Sequence, residues 1–389
     1  MLVYFSALWS SVRSIRSSKL RVAAKCIVAL LFFFGLSTTC LAQKQEQDYT
    51  KYHQGVINAE TAIFVDKQPD RGLKIFSSTF EQFDFAFVDD CIEAFQLALF
   101  YKKEDYAIIF LKKAMDNGFE IELLNQLVHD CPCEHHKRTE INGALHAAFI
   151  KKHRDQLENY STEAYAEYIS RIDSELLRKI LNRHMREQLF KDYKAGLSST
   201  GLPKERAIKQ QKIEYQRICD DNLRFIDSLA RKNIFIGERN LGIYTEKLAE
   251  ALKITPVAQQ RVLMVTFYGL PASTYVPNNS EADYFGINPV YNMLFHNARS
   301  FGVLSPYSSE AIRRGYLHPR EYASLAYNRP GARDTSMLLT ACPEVNSAKE
   351  VNDSRRDFLL PPYEVDYQKR LFAHNHNLQL FFGFRGYEK

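Results

Sequence analysis

Apolar residues recur with a helical period through most of the chain. Between residues 162 and 193, Tyr165, Ile169, Ile172, Leu176 and Ile180 fall three or four apart, which predicts one long amphipathic helix running towards Gly196. The stretch GLSSTGLP that follows reads as a linker; its two glycines have phosphate-loop spacing, but Leu202 stands where a lysine is needed. Residues 205–233 predict a second long helix and 243–253 a third. Beyond Val262 the period breaks. Residues 271–289 read as loop, 290–304 as a short helix, and SSEAIRRG and HPREYASLAYNR as two more, the latter opened by Pro319 in its first turn. Most of 335–375 lacks a pattern, and LQLFFGFRGYEK reads as one strand or a docked tail.

Nearer the N-terminus the pattern repeats itself. Residues 61–76 and 97–111 align at an offset of 35 to 36, with Ala62 answering Ala98, Phe64 answering Phe100, and Gly72 to Phe76 answering Ala107 to Leu111. That period belongs to two-helix repeats of the tetratricopeptide kind, in which a small residue lets paired helices approach. Gly118 sits where the last of these helices stops. The expected fold is mostly α: a short helical-repeat-like array over 43–157, followed by a helical domain with little strand over 158–389.

Residues 1–42 change the expected location. Arg13, Arg16, Lys19, Arg21 and Lys25 precede the apolar run CIVALLFFFGL with no acidic residue, and Ala42 closes a small-residue cleavage pattern. The run is too short to span a bilayer, which takes roughly 20 residues. This is the form of a secretory signal, so a periplasmic or secreted protein is expected. Cys40 offers a lipid anchor as an alternative, although Ser37 and Thr39 fit a lipobox poorly. Membrane contact is expected only through this leader or that anchor.

The leader also carries the whole net charge of +5, leaving residues 43–389 neutral. A nucleic-acid partner needs a surplus of Lys and Arg, so none is expected. Removing the leader leaves Cys91, Cys131, Cys133, Cys219 and Cys342, an odd number.

Two groups of residues carry candidate chemistry. In HDCPCEHHKR, Cys131, Cys133, His135 and His136 have the atom types of a zinc site, but all four come from one six-residue loop. The favoured reading is a disulfide from Cys131 or Cys133 to Cys91 or Cys219, with metal binding as the alternative and no cofactor expected. In the C-terminal half, His296 is a candidate base with Asp221, Asn222 or His318 to orient it, which would make an envelope hydrolase. His374 and His376, two apart, would share one side of a strand.

The order CDDNLRFIDSLARKN, NMLFHNARS and AIRRGYLHPREYASLAYNR resembles an uncharacterised domain of exported bacterial proteins, over roughly residues 165–386. Gly315, Pro319, Tyr322, Ala323, Leu325 and Arg329 match its last segment, His296 its histidine and Asn222 its asparagine. Phe295 replaces the glutamine of that pattern and Asn328 its aspartate, and the only tryptophan, Trp9, lies in the leader. The resemblance implies a domain, while the lost polar partners speak against an inherited reaction. A binding or interaction module for a protein or peptide is the expected function, ahead of the hydrolase centred on His296 and of metal binding.

Overall fold

A computed structural model describes residues 47–121, 141–192, 204–243, 245–254, 301–327, 348–376, 378 and 380–382, in some helices by the backbone alone. Residues 48–389 form one unit and 1–47 another; the account below concerns the former. The described residues are mostly α-helical and contain no strand. The leader, the Cys131–His136 loop, His296, Cys342 and the linker after residue 192 lie outside them.

The chain opens with two helical hairpins: α1 (Thr50–Phe64) with α2 (Pro69–Gln82), then α3 (Val88–Phe100) with α4 (Glu104–Asp116). Each first helix packs chiefly on its own second helix. The aligned residues hold equivalent places, Ala62 and Ala98 on α1 and α3, Gly72 and Ala107 on α2 and α4, all buried. Gly72 has a steric reason: a Cβ there would stand 2.3 Å from Ile63 Cγ1 and 2.8 Å from the Ala59 carbonyl oxygen. Helix α4 ends where glycine predicts. Gly118 has φ +95°, and the amides of Gly118 and Phe119 donate to the carbonyls of Met115 and Ala114.

The next stretch departs from the expected single helix. Helix α5 (Ile141–Arg171) stops at Ile172, and α6 (Ser174–Asp192) begins after Asp173, whose Oδ1 accepts the Leu176 amide at 2.9 Å. An aspartate able to cap competes with helix continuation, and the apolar period runs across both helices regardless. The expected domain limit at 157/158 falls inside α5. Helix α7 (Lys204–Arg231) is the second long helix, followed by α8 (Glu238–Leu241), α9 (Glu246–Ala251), α10 (Phe301–Arg313) and α11 (Pro319–Tyr327).

The C-terminal part corrects the expectation of irregular chain. Helices α12 (Ala348–Asp357) and α13 (Tyr363–His376) occupy much of 335–375. Their periodicity is masked because charged residues, among them Arg355, Asp366 and Lys369, take buried positions where apolar side chains would mark a face. His374 and His376 lie in the last turn of α13, not on a strand. The His376 ring packs on Phe100 and Phe372, with centroids 4.5 and 4.6 Å away.

Two cores result. One joins the hairpins to Phe149, Leu157 and Ala164 of α5, Val365 of α13, and Leu378 and Leu380 of the tail. The other gathers Tyr168, Leu177 and Ile180 with Ile226, Leu248, Tyr307, Ile312 and Tyr322. Tyr168 links them: its hydroxyl accepts the Ile243 amide at 2.9 Å, and Cβ atoms on Gly118 or Gly242 would strike its ring and hydroxyl. One terminal nitrogen of Arg239 donates to both carboxylate oxygens of Asp84, at 2.8 and 2.9 Å, while the other donates to the Arg314 carbonyl at 2.8 Å, and Glu238 accepts the Val88 amide at the start of α3.

Candidate functional site: a buried charged cluster

Helices α1 and α3 are apolar enough to be buried on most sides, yet each carries ionisable residues one or two turns apart: His53 and Glu60 on α1, Asp90 and Glu93 on α3. All four are buried, so each needs a partner. The partners come from the far end of the chain. Arg320 of α11 reaches Glu60 with one terminal nitrogen, at 2.8 and 2.9 Å, and Asp366 with the other, at 2.9 and 3.1 Å. Lys369 of α13 donates to Glu60 at 2.6 Å, approaches Glu93 at 2.6 Å, and donates to the Phe381 carbonyl at 2.6 Å. Arg355 of α12 completes the set by pairing with Asp366 and donating to the Pro361 carbonyl. Three acidic and three basic side chains thus share one water-poor site.

Electrostatics follow from that geometry. Burial works against the Arg320 charge, but Asp366 and Glu60 overcome it and hold the guanidinium more firmly protonated than usual. Burial favours the neutral acid of Asp366, yet Arg320 and Arg355 keep its carboxyl below the ordinary range. Glu93 goes the other way: burial pushes it up to about 8, with Lys369 opposing. Its Oε2 accepts the Phe381 amide at 2.8 Å, while its Oε1 is buried without a donor.

Beside this cluster sits a second group. His318 precedes α11 and caps it: its Nδ1 accepts the Arg320 amide at 3.1 Å, which places the ring proton on Nε2. That nitrogen lies 3.3 Å from Asp90 Oδ1, off the line a hydrogen bond needs. Tyr52 donates to Asp90 Oδ2 at 3.0 Å. Burial raises the Asp90 carboxyl, and His318, His53 and the Tyr52 hydroxyl together outweigh it, leaving it below the ordinary value. His53 packs against His318 at a centroid separation of 5.4 Å. Burial first and His318 second lower His53 to about 3, so its ring is neutral at ordinary pH. Phe87 and Phe381 close the remaining sides of His318, with centroids 5.0 and 4.9 Å away.

An acid, a histidine and a tyrosine in contact have the groups for proton transfer. Here the His318 and Asp90 side chains are 5 % and 4 % exposed, a geometry that holds packing together and offers no entrance. Among the described residues, no three His, Cys, Asp or Glu side chains are grouped to hold a metal ion.

The candidates named from sequence separate. His318 belongs to this cluster, with Asp90 and His53 as neighbours. Asp221 lies on α7, where burial tends to raise its carboxyl but Arg183, at 2.8 Å, and Arg224 hold it below the usual value. Asn222 is buried beside it and accepts from Arg183 at 3.4 Å. His296, Cys131, Cys133, His135 and His136 lie outside the described residues. Cys91 is a buried thiol whose pKa burial raises, and Cys219 is buried on α7. The sequence reading missed Glu60, Asp90, Glu93, Arg320, Arg355, Asp366 and Lys369. One signal was present: Glu93 is the single charged residue in the mostly apolar CIEAFQLALF, where a charge must be either exposed or paired.

Comparison with family models, with curated proteins and with solved structures finds no match to this chain.

Proposed function

We propose that this chain is an exported helical binding module whose partner is a protein or peptide. The observation that carries this reading is the sealing of His318 and Asp90: the described groups best suited to acid–base chemistry are enclosed by Phe87, Phe381 and His53. Among the described residues, what remains available to another molecule is the outer surface of the helices and whatever the C-terminal tail covers. The paired hairpins α1 to α4 supply a rigid support for such a surface. No described helix is long and apolar enough to cross a membrane, and the basic, apolar leader supports export.

Two measurements test the reading. Mass spectrometry of the chain recovered outside the cytoplasm should find an N-terminus at Gln43; recovery only of intact chain in the cytoplasm would overturn export. Cross-linking in the native cell, followed by mass spectrometry, should give one stoichiometric protein partner attached through described helical surfaces. Turnover of an envelope substrate, lost on His296→Ala with the fold intact, would replace binding by catalysis.

A further inference from the structure

The tail that follows α13 is held in an unusual way. It is anchored at Leu378, whose amide donates to the Ala373 carbonyl at 2.9 Å, and Leu378 and Leu380 enter the first core. At Phe381 both main-chain groups are taken by buried charged side chains: the amide by Glu93 at 2.8 Å and the carbonyl by Lys369 at 2.6 Å. The Phe381 ring rests on His318, and Lys369 and Arg370 flank the Phe382 ring at 4.9 and 4.7 Å. This is recognition of a peptide unit by a donor and an acceptor fixed in the body of the protein, with apolar seats on either side. Main-chain recognition of this kind is indifferent to which chain supplies the peptide.

We infer that Leu378 and residues 380–382 occupy, in cis, a peptide-binding seat whose partner in trans is a segment of another protein with apolar residues two apart followed by an aromatic. The inference deepens the binding reading above and rests on it for the partner's being a protein. Glu93 already lies 2.6 Å from Lys369, and the carbonyl of a seated peptide takes a charge-assisted bond from the Lys369 ammonium inside a buried site. Glu93 Oε1 adds a reason for exchange. It is a buried oxygen without a hydrogen-bond partner, and the described tail residues do not use it. A partner that brings one further hydrogen-bonding group beside its aromatic residue satisfies that atom and displaces the tail. The tail then sets the threshold, because the ligand must outcompete a segment tethered a few residues away.

The probe is a synthetic peptide with the sequence of residues 376–384, HNLQLFFGF, against its scrambled counterpart. On the wild-type full chain, excess peptide should speed amide exchange at 378–382 at least tenfold while α1 and α3 stay protected. The double variant Leu380→Asp, Phe381→Asp, which weakens the cis tail, should bind fluorescently labelled peptide at least tenfold more tightly than wild type. Three results would overturn the inference: no concentration-dependent change in tail exchange on the wild-type chain, equal action of the scrambled peptide, or dimers in which a second copy donates its tail to the seat. The wild-type exchange measurement stands even if the double variant fails to fold. Failure to find a cross-linked partner, with peptide exchange intact, would count against the binding function and leave the seat standing; the reverse pattern would place the partner elsewhere.

Discussion

At the residue scale, function and stability are set by side chains placed where nothing else fits. Gly118 combines a φ of +95° with the Tyr168 ring 2.2 Å from where a Cβ would sit. Both terms penalise any side chain, so Gly118→Ala should lower stability by about 1–3 kcal/mol, read as a shift in the urea midpoint with an unchanged slope. A neutral result would mean that Tyr168 is free to move. His53 gives a pH dependence. Its ring is held neutral, with a folded pKa of about 3 against roughly 6.5 in an unfolded chain. The stability it contributes is therefore complete above pH 6.5 and is lost as pH falls towards 3, at about 1.4 kcal/mol per pH unit. His146, lowered by burial to about 4, acts in the same direction. Denaturation curves at pH 7, 6 and 5 should show the loss, and His53→Gln should flatten it; a wild-type chain equally stable at pH 5 and 7 would contradict this account.

At the element scale, the break between α5 and α6 shows how a local signal and a long-range pattern can both be right. The apolar period runs through residues 165–180, and Asp173 still ends one helix and starts the next. Asp173→Ala should cost about 0.5–2 kcal/mol, and Asp173→Ser, which keeps a capping oxygen, should restore most of it. Thermal melts followed by circular dichroism compare the two. Equal melting of both variants would show that the Asn240 carbonyl, which accepts the Asp173 amide at 2.9 Å, fixes the break by itself. The hairpins were legible because their offset of 35 to 36 residues comes from small and aromatic residues with a packing reason, Gly72 against Ile63 above all. Helices α12 and α13 were not legible, since Asp366 and Lys369 face inward and erase the apolar stripe that marks a buried face.

At the scale of the whole molecule, the charged cluster ties together parts of the chain that sequence separates by hundreds of residues. Arg320 joins Glu60 to Asp366, and Lys369 joins Glu60 to Glu93 and the tail. Arg320→Met keeps much of the volume but leaves two buried carboxylates short of a partner. It should cost about 3–5 kcal/mol in urea unfolding. Because the cluster connects the hairpins to α11, α12 and α13, the loss should appear as one transition, seen alike by circular dichroism and by tyrosine fluorescence. Two separated transitions would mean that the hairpins fold without the C-terminal helices.

The sequence by itself determined the helical class, the two N-terminal hairpins, the stop at Gly118 and the start at Pro319, because each rests on period, small-residue placement or backbone preference acting within a few turns. It also singled out His318, but as an alternative to Asp221 and Asn222 for orienting His296. Only the tertiary structure decided that His318 meets Asp90 and His53, that Asp221 meets Arg183, and that six ionisable side chains from α1, α3, α11, α12 and α13 partner one another. Pairings of that kind leave no periodic trace, since a buried charge looks like a surface one until the fold brings its counter-charge from another helix.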